Sequence, residues 1–116
     1  MKNFKNLKVW QKGIDLVVET YTKTERFPKE ELFGLTSQIK RSAISIPSNI
    51  AEGSGRGTDK DFNRFLDVAL GSSFELETQL IIANRLKFLQ DDDFSSLSNQ
   101  LDEEQKMIIG LQKKLK

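Results

Sequence analysis

Residues 58–88 read TDKDFNRFLDVALGSSFELETQLIIANRLKF, and their apolar positions recur at helical rather than strand spacing. Phe62, Phe65, Leu66, Ala69, Leu76, Leu80 and Ala83 follow one stripe, which predicts a helix running to Phe88 and about 45 Å long at 1.5 Å per residue. Thr58 with Asp61 three positions later forms its start signal: the hydroxyl accepts a backbone N–H and the acid complements the positive end of the helix dipole. A second apolar row, Leu70, Phe74, Ile81 and Phe88, lies beside the first. A helix of this length with two greasy rows belongs in a bundle, and the second row is expected to form an oligomer interface.

Three further segments flank it. Before the turn, Leu32, Leu35, Ile39, Ala43, Ile46 and Ile50 form one stripe, and Pro28 is expected to open this helix with Glu30 and Glu31 near its positive end. Pro47 falls inside the segment. It removes one backbone hydrogen bond and predicts a kink, at about 3 kcal/mol in an exposed helix, with Ser42 and Ser45 placed to satisfy freed carbonyls. Gly53 fits a C-cap, and the run Gly53-Ser54-Gly55-Arg56-Gly57 suits a turn with positive φ. Further upstream, Leu7, Trp10, Ile14, Val17, Val18 and Tyr21 predict a first helix over about residues 7–24, with Trp10 and Tyr21 in the core. At the other end, Asp91, Asp92 and Asp93 read as cap and dipole partner for a fourth helix. Its stripe is Phe94, Leu97, Leu101, Ile108, Leu111 and Leu115, with Glu104 as one polar interruption. Four stripes and short links predict one domain, residues 1–116, folded as an all-α, antiparallel up-down-up-down four-helix bundle.

Composition limits the chemistry. The 116 residues include no cysteine and no histidine, so disulfides, thiolate metal sites and the commonest general base are excluded. A hydrolytic triad lacks its central base. Glu52, Glu75 and Glu77 resemble part of a carboxylate metal cluster, but bundles of that type use Glu-x-x-His. They are expected instead to pair with Arg41 or Arg64, or to face water. No catalytic residue, metal or cofactor is expected, and no small-molecule substrate is evident. With 37% hydrophobic and 30% charged residues, the chain reads as soluble, without a membrane span, and the N-terminus lacks a signal-peptide pattern, which points to the cytoplasm.

The net charge is only +1, so nucleic-acid affinity has to come from a local patch. Lys40, Arg41, Arg56, Lys60 and Arg64 supply one, against Glu52, Asp59 and Asp61. The glycine run follows a helix rather than a strand and matches no phosphate-loop pattern, so connector geometry explains it. Ser45 and Asn49, one turn apart near Pro47, are expected to form a polar network that steadies the helix, with Glu52, Glu75 and Glu77 as further polar members.

The segment Arg41-Ser42-Ala43-Ile44-Ser45-Ile46-Pro47-Ser48-Asn49-Ile50-Ala51-Glu52-Gly53 resembles the signature of the 23S ribosomal RNA intervening-sequence proteins, a four-helix bundle family. Leu7–Lys12, Phe27–Glu31, Gly34–Gln38, Phe62–Leu66 and Gly71–Thr78 resemble the same family, so the likeness covers nearly the whole chain. The resemblance implies a ring of five subunits, no established catalytic residue, and contact with RNA or with a nucleic-acid enzyme through basic surfaces. The matching basic positions are Lys40, Arg41, Arg56 and Arg64. The alternative is a protein-interaction or structural scaffold whose charges serve only solubility.

Overall fold

The computed structural model describes residues 3–115. Four helices carry the fold: α1 (Lys8–Thr24), α2 (Leu35–Ser54), α3 (Asp59–Arg85) and α4 (Asp91–Lys114). No strand occurs among the described residues. Each helix packs on its neighbours in the chain, and α1 packs on α4, while the diagonal pairs α1–α3 and α2–α4 stay apart. The result is the expected up-down-up-down bundle. Leu16, Ile39, Ile46, Ile50, Leu66, Leu76 and Leu101 are among the side chains that fill its centre.

Helix α1 is turned relative to its expected orientation. Its buried residues are Val9, Gly13, Leu16, Thr20 and Thr24, the first four each next to a position of the predicted stripe and Thr24 one turn beyond Thr20. One residue is about 100° of rotation, so Ile14 and Tyr21 come to the surface and Val18 is 58% exposed. Leu7, Trp10 and Val17 are half-buried, Trp10 meeting Phe4 edge-on at 5.2 Å. The cause lies in residues that do not look apolar. Thr20 Oγ1 donates to the Leu16 carbonyl at 2.7 Å and Thr24 Oγ1 to the Thr20 carbonyl at 2.9 Å, which satisfies both hydroxyls inside the core. Gly13 gives the close approach that seats α1: a Cβ there would lie 3.3 Å from Pro47 Cβ and 2.9 Å from Glu104 Oε2.

Pro28 opens only a single 3-10 turn, Lys29–Glu31, and α2 begins at Leu35. Leu32 therefore leaves the predicted stripe and is 51% exposed. Helix α2 continues through Pro47, which is buried. The expected repair by serines is absent among the described residues: Ser45 Oγ shares a 2.7 Å hydrogen bond with Ser72 Oγ on α3 instead.

Gly53 lies inside α2 rather than capping it. Added to Gly53, a Cβ would stand 2.7 Å from Phe65 Cβ and 2.9 Å from Phe62 Cδ1, so the glycine is there for close helix contact. Gly55 is the C-cap with φ −86°, and no described glycine has positive φ. Thr58 caps α3 as expected, its Oγ1 accepting from Asp61 N at 3.1 Å. Helix α3 stops at Arg85, one turn early, because Lys87 takes φ 67° and reverses the chain. Phe88 then lies 6.0 Å from Phe27, and both Leu70 and Phe88 pack on this chain's own core. Of the predicted interface row, Phe74 (50% exposed) and Ile81 (38%) remain outward.

Helix α4 has Gln90 at its N-cap with no side-chain cap, so the three aspartates complement the dipole without capping the helix. Asp91 Oδ1 accepts from Asn84 Nδ2 at 2.9 Å. The polar interruption Glu104 is wholly buried, and neither carboxyl oxygen has a hydrogen-bond partner. Burial first, and then the Glu103 charge, push its pKa up to about 8 against a smaller opposing pull from Lys12. No described helix is long and apolar enough to cross a membrane.

Candidate nucleic-acid interface

Helix α2 ends and α3 begins within five residues, so the side chains after Glu52 and before Leu66 share one end of the bundle. Arg56 and Arg64 both lie over the Phe65 ring, each Cζ 4.7 Å from its centroid. A cation over an aromatic face is attracted by the ring quadrupole, and the ring gives two long side chains a common support. Arg56 Nη2 also donates to Glu52 Oε1 at 2.9 Å, and Arg64 Nε lies 3.9 Å from Asp61 Oδ1. All four groups in these pairs are solvent-exposed, where such pairs hold weakly, by about 0–1 kcal/mol. Lys60 is exposed beside them and has no ion pair among the described residues.

The other two predicted bases stand elsewhere. Lys40 and Arg41 lie about 20 Å from Arg56 along α2, so the five cations do not form one patch. Lys40 Nζ sits 4.7 Å from the Tyr21 ring centroid, on the side of α2 that meets α1. Arg41 lines a polar cleft of about 340 Å³ between α2 and α3, with Ser42, Ser45, Ser72 and Glu75.

The expected polar network is smaller than its predicted membership. Asn49 Nδ2 donates to the Ser45 carbonyl at 2.8 Å and to Ser45 Oγ at 2.9 Å, and Ser72 joins through Ser45. Sequence reasoning missed Ser72 as a member. Glu52, Glu75 and Glu77 stand outside it: Glu52 pairs with Arg56, Glu75 lines the cleft, and Glu77 accepts from Gln105 Nε2 at 3.0 Å. None of the three pairs with Arg41 or Arg64. No group of three or more metal-ligating side chains converges among the described residues.

The bundle presents exposed cations at its α2–α3 end and the residues of the signature segment along α2. The family model described as 23S rRNA-intervening sequence protein matches residues 5–110. The chain belongs to this family. Its fold is similar to the crystal structure of a protein of unknown function from the S23 ribosomal protein family of Bacteroides thetaiotaomicron. That likeness has a TM-score of 0.84 and 27% sequence identity, covering 90% of this chain and 95% of the other. No match is found among curated proteins.

Proposed function

We propose that this intervening-sequence protein is a non-enzymatic, cytoplasmic homo-oligomer, a pentamer as the resemblance implies, that binds RNA at the α2–α3 end. The reading rests on the Arg56–Phe65–Arg64 stack beside Lys60. Guanidinium planes and an aromatic ring meet there at an exposed helix start, which suits single-stranded RNA: phosphates meet the cations and bases stack on the planes. Lys40 and Arg41, displaced along α2, extend the contact along a strand rather than at one point.

Such binding is electrostatic in origin, so affinity falls steeply with salt. A gel-shift titration with single-stranded RNA at low and high ionic strength measures this, and Arg56→Glu with Arg64→Glu is expected to weaken the binding sharply. Absence of any shift at low salt would sink the proposal. Light scattering on the purified protein reads the oligomer number directly.

A scaffold role has its own supporting observation. Trp10, Ile14, Val17, Ile44, Pro47 and Ala51 line a largely apolar groove between α1 and α2. Affinity capture from native cells separates the readings: nuclease-sensitive RNA favours the first, and a stoichiometric foreign protein favours the second.

A further inference from the structure

The α1–α2 link and the α3–α4 link lie together at the end of the bundle opposite the α2–α3 turn. They bring three cations from two separate stretches of the chain to one cavity of about 320 Å³: Lys23 in the last turn of α1, Arg26 just beyond it, and Lys87 after α3. Pro28 and Phe88 give the cavity an apolar wall, and Gln90 adds an amide. Asp93 is the one acid lining it, and its Oδ1 stands 3.2 Å from Lys23 Nζ. Lys23 has a second, looser carboxylate at 4.0 Å in Glu19, whereas Arg26 and Lys87 have no ion pair among the described residues. The neighbouring Asp91 carboxylate is engaged by Asn84.

Charge then selects the ligand. Lys23 is offset by its own carboxylates, Asp93 and Glu19, so the unmatched charge of the cavity is the +2 carried by Arg26 and Lys87. A phosphodiester within a nucleic-acid backbone carries a single charge and leaves half of that unmatched, whereas a terminal phosphate monoester carries about −1.5 to −2 at pH 7. Convergent ammonium and guanidinium donors in a concavity bind such a group by charge-assisted hydrogen bonds. A cavity of this size also has room for the sugar attached to the phosphate, against Pro28 and Phe88. We propose that this cavity binds a terminal phosphate monoester, the phosphorylated end of a nucleic-acid strand or a free nucleotide. The inference stands independently of backbone contact at the α2–α3 end.

The test uses the full chain at physiological salt and three probes: adenosine 5′-monophosphate and one short single-stranded RNA with either a 5′-phosphate or a 5′-hydroxyl, measured by calorimetry. The phosphorylated RNA is expected to bind roughly tenfold tighter than its hydroxyl counterpart. Arg26→Gln with Lys87→Asn should erase that difference; both side chains are exposed, and Asn tolerates the left-handed backbone of position 87. The Arg56→Glu, Arg64→Glu variant lowers both RNA affinities together and leaves their ratio intact, which separates this site from the proposed RNA surface. A mononucleotide that binds as tightly as the RNA end identifies free nucleotide as the source. Equal affinity of the two RNAs with no mononucleotide binding overturns the proposal, as does a preference that survives the double variant.

Discussion

Glu104 occupies the space that Gly13 leaves by having no side chain, its Oε2 set against α1 and the Pro47 ring. A carboxylate there is wholly buried and accepts no hydrogen bond from the protein, so burial holds the group protonated up to about pH 8, against an ordinary value of 4.5. Between those two values the folded chain binds one more proton than the unfolded chain. Its contribution to stability is therefore fully present below pH 4.5, declines as pH rises and is gone above about 8. The steepest loss is about 1.4 kcal/mol per pH unit. Glu104→Gln cannot titrate, and urea melts at pH 5, 7 and 9 should show it gaining on the native chain as pH rises; a native chain whose stability is flat over that range would refute the assignment. Lys87 offers a second residue-level test. Its left-handed backbone favours glycine, so Lys87→Gly is expected to stabilise by about 0.5–1 kcal/mol, read as a melting point a few degrees higher.

At the level of elements, glycines on neighbouring helices should respond oppositely to the same change. Gly53→Ala forces a methyl into Phe62 and Phe65 at the α2–α3 contact and should destabilise by roughly 1–3 kcal/mol. Gly71→Ala meets nothing within 4 Å on an exposed face of α3 and should stabilise by about 0.5–1 kcal/mol. Chemical denaturation of the two variants checks the sign of each. These helices were legible from hydrophobic spacing where the buried residues are apolar, as in α3 and in Leu97, Leu101 and Ile108 of α4. Helix α1 was legible in extent but not in orientation, since Gly13, Thr20 and Thr24 bury through close approach and self-satisfied hydroxyls, which no hydropathy pattern records. The candidate site divides the same way. Arg56, Lys60 and Arg64 are close in sequence, and the turn keeps them close in space. Lys23, Arg26 and Lys87 come together only once the two links are stacked, and Lys40 and Arg41 are separated from Arg56 by the rise of α2.

Across the whole molecule, 43 Å in its longest extent, helices meet in chain order around a square that α1 and α4 close. That closure makes the order of the segments interchangeable. Because α1 and α4 run side by side in opposite directions, the start of one lies near the finish of the other, and a short flexible tether can span them. Cutting the chain at Gly57, which has open space around it, and tethering α4 to α1 should yield a permuted protein with unchanged helical circular dichroism and cooperative melting. The square thus has no privileged first edge: its architecture resides in which sides touch, and the backbone is free to enter at another corner.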